Sequence, residues 1–335
     1  MKRAAALLAS AAALLAAPAL GNDSQAAIGV GGLVLTRNDA ISMDAEDLFI
    51  SKDEVRVRYR YTNHLPHDVE ALISFPVPGI PANAETFYGE GPVADIKALD
   101  FATKVDGQPV RFEVVEQAEV AGRNVTARLK ALGWPLRWAS GDGEVPGFVK
   151  KLTAAEREGF IKEGLLQRDS MQGRIIYPRW AVVTHITRHQ TFPAGRSVEV
   201  THRYVPYAGG SVAGMLEPQY RREKDAAWHL QRYCIDPAFL AAFDKRQAAN
   251  KRAHPDNPPI YFETWLSYIL KSGANWRGPI KDFRLTVDKG KADNLVSFCM
   301  DGVKKISPTQ FEVRKTNFEP KRDLEILIAE WAPLE

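Results

Sequence analysis

Glu54-Val55-Arg56-Val57-Arg58-Tyr59-Arg60-Tyr61 alternates without a break. Val55, Val57, Tyr59 and Tyr61 share one parity, and Arg56, Arg58 and Arg60 share the other. A strand built from these residues has one apolar face and one charged face. The pattern predicts a half-buried antiparallel strand whose arginine side meets water. Asn63-His64-Leu65-Pro66-His67-Asp68 then reads as a turn. Val69 to Val77 reads as a second strand, closed by Pro76 and Pro78, where ladder donors are lost. Phe101–Val105, the Asp106-Gly107 turn and Val110–Val115 read as a hairpin. Residues 22–118 therefore look like an N-terminal β-sandwich-like domain.

The pattern changes over 119–172, which reads as a helical insert. Val120–Leu132 suits a helix. Thr153-Ala154-Ala155-Glu156 is a capping-box pattern ahead of an amphipathic run to Gln167. Strand character returns in 173–335. Ile175–Ile186 and Ser197–Val205 flank Phe192-Pro193-Ala194-Gly195 and are expected to pair as antiparallel neighbours. Asp236-Pro237 starts a helix over 236–252, with Asp as N-cap and Pro in the first position. Five strand signals follow, at Tyr261–Leu270, Ile280–Val287, Leu295–Met300, Gln310–Thr316 and Leu324–Ile328. The expected fold is mainly β (α+β overall): antiparallel β-sandwich-like domains with a helical insert.

The chain of 335 residues carries 44 Lys+Arg against 41 Asp+Glu, and 45% of it is hydrophobic. These values describe a folded globular protein, not a disordered, collagen-like or multi-pass membrane chain. A formal charge of +3 offers no concentrated basic face for nucleic acid. Lys2 and Arg3 precede an Ala/Leu run over 4–20. Ala19-Leu20-Gly21 fits the small-x-small cleavage rule, so residues 1–21 read as a secretory signal peptide cut after Gly21 or after Ala19. The alternative is an uncleaved anchor, for which an Ala-rich run of roughly 17 residues is short. No later segment is apolar enough to span a bilayer. The product is expected in the periplasm or secreted. Cys234 and Cys299 are the sole cysteines. In an exported chain they suggest a disulfide, which would constrain the unfolded chain by roughly 4 kcal/mol. A redox pair would need a closer spacing.

Candidate chemistry is sparse. The Arg56/Arg58/Arg60 stripe could hold an anion, but a solvated face paired with neighbouring carboxylates is the plainer reading. His185 and His189 share strand parity, yet four strand residues span about 13 Å, too far to chelate one ion. His202 shares parity with Val198, Val200 and Tyr204 and is expected to face inward. Gly209-Gly210-Ser211-Val212-Ala213-Gly214 misses the spacing of a nucleophile elbow and reads as a loop. Neither Gly29-Val30-Gly31-Gly32 nor Gly141-Asp142-Gly143 completes a phosphate-binding fingerprint. No cofactor and no metal site is expected. Among the tryptophans, Trp134 and Trp138 are the best exposed candidates for binding, because Gly133 and Pro135 break their loop and Arg137 flanks it.

Several segments taken together resemble one family. They are Asn22-Asp23-Ser24, Gly31-Gly32-Leu33, Glu46-Asp47-Leu48-Phe49-Ile50-Ser51, Phe75-Pro76-Val77-Pro78, Val200-Thr201-His202-Arg203-Tyr204-Val205-Pro206 and Trp276-Arg277-Gly278-Pro279-Ile280. The combination resembles the bacterial secreted domain-of-unknown-function family 4424, over nearly the whole mature chain. That resemblance implies a bacterial source and a periplasmic or external location, and it carries no activity and no catalytic residues. The function expected is therefore a non-catalytic binding or envelope-interaction protein, whose partner is an envelope component or another protein. The alternative is a periplasmic hydrolase of a glycan or peptide, using His202 or His185 with a carboxylate brought near by folding.

Overall fold

In the computed structural model Val55, Val57, Tyr59 and Tyr61 are all buried, at 2% exposure or less, while Arg56, Arg58 and Arg60 are exposed. The structure describes residues 22–29, 32–81, 99–138, 145–168 and 176–332. The leader read at residues 1–21 and the Gly141–Gly143 loop lie outside them.

The chain starts with strands β1 (Ser24–Gly29), β2 (Gly32–Thr36), β3 (Ile41–Ile50), β4 (Val55–Asn63) and β5 (Val69–Pro81). Next come β6 (Ala102–Val105), β7 (Gln108–Pro109), β8 (Glu113–Val120) and β9 (Arg123–Asn124). After them come α1 (Thr126–Ala131), α2 (Gly147–Lys150), α3 (Ala154–Glu163) and the pair β10 (Leu166–Arg168) and β11 (Ile176–Pro178). Strands β12 (Ala181–Phe192), β13 (Ser197–Tyr204) and β14 (Gly209–Val212) lead to helices α4 (Lys224–Arg232) and α5 (Pro237–Ala253). The chain continues through β15 (Ile260–Tyr268), β16 (Ile280–Asp288), β17 (Leu295–Phe298), β18 (Lys304–Lys305), β19 (Gln310–Phe318) and β20 (Leu324–Ala332).

Two large sheets face each other. One is ordered β2-β1-β5-β12-β8-β9, the other β18-β19-β16-β3-β4-β13-β6-β7. A smaller sheet, β14-β15-β20-β17, extends the packing. Its Ile326 and Ile328 join the main core, while Leu327, Ala329 and Trp331 meet Tyr233 and Phe243 beneath α4 and α5. The fold is thus β-rich and sandwich-like, as the alternation predicts. One pairing, β3 with β16, is parallel.

Strand order joins distant parts of the chain. Residues 22–118 close no core alone, because β12, β13, β16 and β19 complete both sheets. Strands β12 and β13 do not pair with each other. The turn at Phe192–Gly195 carries the chain across the sandwich, so β12 joins β5 and β8 while β13 joins β4 and β6. The turn after β4 makes the same crossing. Asn63 fastens both, its Nδ2 donating to His67 O and Phe192 O at 2.9 Å each. Asp106-Gly107 turns with two positive φ angles as the hairpin requires. Its partner strand is only β7, and β8 belongs to the opposite sheet. Strand β5 runs past Pro76 and Pro78, since β1 pairs it only through Ser74 and leaves that side free of ladder bonds. Gly209–Val212 is a strand rather than a loop. Gly210 permits it, for a Cβ there would sit 2.6 Å from Glu263 O.

A second buried cluster gathers Val125, Leu129, Val149 and Leu165 with Trp134 and Trp138, and it includes Ala118 of β8, Val182 of β12 and Trp180. The capping box at Thr153 and Glu156 forms as expected. Helix α3 ends at Glu163, short of Gln167, because Gly164 takes the left-handed conformation that terminates helices (φ 82°). Asp236 caps α5 by accepting from Phe239 N at 2.7 Å, with Pro237 behind it. Cys234 and Cys299, 65 residues apart, form a disulfide that ties the loop after α4 to the loop after β17.

Candidate functional site

The outer face of the eight-stranded sheet carries the arginine half of the β4 alternation. Backbone register lines up Arg284, Asp47, Arg58, Thr201 and Lys104 in one row across five strands. The adjoining row holds Thr286, Phe49, Arg56 and Arg203. Together these rows floor a hollow of about 740 Å³. Arg56 and Arg203 stand directly opposite each other, an arrangement that costs stability when unrelieved. Glu54 relieves it by taking Arg56 Nε at 2.9 Å and Arg203 Nε at 2.8 Å. The Arg56 guanidinium is fixed over the Phe49 ring, 4.4 Å from its centre. Asp47 sits 3.6 Å from Arg58 and 3.7 Å from Arg284. The pairing of Arg56 and Arg58 with neighbouring carboxylates matches the plainer reading of the stripe. The accumulation of five cations around one hollow goes beyond it.

A second polar centre is enclosed between the sheets. Asp23 just before β1, Arg188 on β12 and His202 on β13 point inward and meet. Arg188 donates to both Asp23 oxygens, at 2.7 and 3.3 Å, and His202 Nε2 lies 3.2 Å from Asp23 Oδ1. Burial alone would push the Asp23 carboxyl up. The Arg188 guanidinium and His202 outweigh burial and hold it well below the usual carboxylate range. Burial pushes the His202 ring below its ordinary value, against the pull of Asp23.

Beside them lies Glu46, 1% exposed. A bulge at Asp44 shifts the register of β3 and reverses its parity. Ile41 and Met43 before it, and Glu46 and Leu48 after it, therefore all face inward. Burial raises the Glu46 carboxyl to about 8, eased by the Asn22 amide and reinforced by the Asp23 charge. Asn22 Nδ2 donates to Glu46 Oε2 at 3.2 Å and to Leu270 O at 3.1 Å. Tyr59 and Tyr268 both donate to Asn22 Oδ1, at 2.9 and 2.8 Å.

The histidines and tryptophans singled out from sequence are distributed differently from expectation. His202 faces inward as its parity predicts, enclosed by the rings of Tyr59, Phe75 and Phe101. His185 is 3% exposed, with Nδ1 3.0 Å from Ser74 Oγ, and burial lowers its ring to about 4. His189 is exposed. His202 borders the hollow on the outer face of its sheet, but its side chain is fully buried on the inner side, and His185 is likewise enclosed. The exposure expected of Trp134 and Trp138 is not found: each is only 9% exposed. Trp134 packs on Phe148, Phe160 and Trp180 at the centre of a cluster of large apolar side chains. Arg137 is bound by Glu116 at 2.6 Å and by Thr184 at 3.2 Å. Among the described residues no group of His, Cys, Asp and Glu is arranged to hold a metal ion, and no helix is long and apolar enough to cross a membrane. Asn22, Asp23, Glu46 and Arg188 were not legible as a site. The parity of Arg188, matching Ile186 and Phe192, was the signal available in the sequence.

A family model described as a domain of unknown function, DUF4424, matches residues 21–327. The chain belongs to this family. No curated protein sequence matches it significantly. Among solved structures, the chain is similar to one from Legionella pneumophila subsp. pneumophila described as a "putative nutrient binding protein". The match has 13% identity and a TM-score of 0.44, and covers 92% of this chain and 71% of that one. An M1 zinc metallopeptidase from Deinococcus radiodurans matches at 7% identity and a TM-score of 0.27. That match covers 88% of this chain and 43% of the peptidase. Both likenesses are too distant to carry a functional argument.

Proposed function

We propose that the protein is exported and binds a small anionic molecule, one bearing two or more phosphate or carboxylate groups, on the outer face of the eight-stranded sheet. The observation that carries this reading is Arg56 set directly opposite Arg203, with Arg58, Lys104 and Arg284 around the same hollow. A sheet built for stability alone would pair opposite charges at that position. The bridging carboxylates hold the guanidinium groups in place at little cost, since exposed ion pairs contribute only about 0–1 kcal/mol each. A ligand with two anionic groups can replace Glu54 and Asp47 as partners, and arginine forks suit phosphate and carboxylate oxygens. The hollow is within the usual size for a small-molecule site. Export is supported by the charged start, the apolar run and the Ala19-Leu20-Gly21 pattern, and by a disulfide, which persists in oxidising compartments. A hydrolase built on His202 or His185 lacks support, because both side chains are buried between the sheets.

The test is calorimetric titration of the purified protein with citrate and with a sugar bisphosphate at low and high salt. Binding of at least one probe is expected, weakening as salt rises and lost in Arg56→Glu/Arg203→Glu. No heat from either probe at low salt, or undiminished binding in the double variant, refutes the reading.

A further inference from the structure

The first described residue is also among the most enclosed. Asn22 has no exposed surface. Its backbone nitrogen donates to Ser272 Oγ at 3.1 Å, and Ser272 Oγ returns a bond to Asn22 O at 2.9 Å. Every hydrogen bond of its side chain goes to the interior, to Glu46, Leu270, Tyr59 and Tyr268. The backbone continues inward, where Trp276 Nε1 donates to Asp23 O at 2.8 Å.

With Glu46 ionised, the charges in this pocket would not balance. Asp23 is answered by Arg188, and burial favours the neutral form of His202. Glu46 has no cation, and its Oε1 is buried without any hydrogen-bond partner. The other titratable groups facing it are Tyr59, Tyr61 and Tyr268, all pushed well above their ordinary values by burial and hence uncharged. A lone buried carboxylate is costly unless it meets a positive charge or takes up a proton. Ionised Glu46 would need one unit of positive charge, and the residue already bonded to it is the one that follows the Ala19-Leu20-Gly21 cleavage pattern.

We propose that the leader is removed at the Gly21–Asn22 bond and that the new α-ammonium of Asn22 docks inside the sandwich, with Glu46 as its counter-ion. The reaction is hydrolysis by a leader-processing endopeptidase of the export route. Water adds across the peptide bond, Gly21 leaves as a carboxylate with the leader, and the released amine takes a proton. The ammonium keeps its bond to Ser272 and reaches the unused Glu46 oxygen. Asp23 and Glu46 are then balanced by Arg188 and the terminus. Processing thereby completes the core, and it selects Gly21 over Ala19 as the cut site. A chain cut after Ala19 would keep a neutral amide at Asn22.

This inference rests on the export reading, and the experiment separates the two. The full chain is expressed in a bacterium and its N-terminus is determined from the fraction outside the inner membrane. A sequence beginning Asn-Asp-Ser is expected. A chain that remains uncut in the cytoplasm overturns both readings, whereas a start at Leu20 overturns this inference and leaves export standing. A second measurement does not depend on export. A chain beginning at Asn22, released from a cleavable tag, is treated with cyanate. Its α-amine should react at least about tenfold more slowly folded than denatured, the protection expected of a closed site. Near pH 8 Glu46→Gln should lower the melting temperature of this chain by about 3 °C or more. In a chain beginning at Leu20 the same substitution should leave the melting temperature unchanged or raise it. A freely reactive amine, or the same effect of Glu46→Gln in both chains, overturns the proposal.

Discussion

Asp23 and Arg188 are 165 residues apart in the chain and meet through two hydrogen bonds inside the sandwich, with side chains 0% and 4% exposed. The pair joins the segment leading into β1 to the middle of β12, and His202 adds β13 from the facing sheet. Removing one partner leaves the other charge buried and alone, which costs about 3 to 5 kcal/mol. Asp23→Asn and Arg188→Met should each destabilise the protein by that amount in denaturant titrations. The double variant should recover part of the loss, because neither charge then remains unanswered. Equal and additive losses would mean that the pair is not coupled.

Acid should weaken the fold through His185. Burial lowers its ring from 6.5 to about 4, so between those values the unfolded chain binds a proton that the native state refuses. Its contribution is complete above pH 6.5 and is lost as pH falls toward 4, on the order of 3 kcal/mol in all. His185→Gln keeps a polar partner for Ser74 and should flatten the stability profile in that window. A slope unchanged from the parent protein would contradict this assignment.

Opening the Cys234–Cys299 bridge frees a 65-residue segment in the unfolded chain. The paired substitution Cys234→Ser/Cys299→Ser should lower stability by about 4 kcal/mol, the loop-entropy figure. The check is the denaturant midpoint under reducing and non-reducing conditions, where only the parent protein should respond to reductant.

Trp134→Ala should act through the insert and not through a ligand. The ring fills the space between Phe148, Phe160 and Trp180, and removing such a side chain costs about 3 to 5 kcal/mol. Proteolysis should then cut first within 119–172. Anion titrations at the arginine face should be unaffected.

Much of the layering was readable locally. The parity of Val55 to Tyr61 assigned a dry face and a wet face before any partner was known, and Val198, Val200 and His202 did the same on β13. Caps at Asp236 and Thr153 marked helix starts, since they act within three residues. Expectation failed where a contact crosses the molecule. Ser197–Tyr204 looked like the ladder partner of the strand before it, whereas the Phe192–Gly195 turn moves the chain to the opposite sheet. The inward turn of Glu46 depends on the bulge at Asp44, which reverses the parity of β3 and which the local sequence does not announce. Trp134 and Trp138 looked exposed because their loop is broken by Gly133 and Pro135, yet local irregularity says nothing about what later packs over it.

The amino-acid order alone determined that these strands have two unlike faces, that the helices begin at Thr153 and Asp236, and that two cysteines were available to each other. Those outcomes follow from dihedral preference and side-chain alternation, which act over a few residues. Only the tertiary structure decided that Asn22, Asp23, Glu46, Arg188 and His202 would share one dry chamber, and that Arg56 would face Arg203. Parity tells a side chain which way to point. What it finds there depends on strand order, and strand order is fixed by the burial of the whole core.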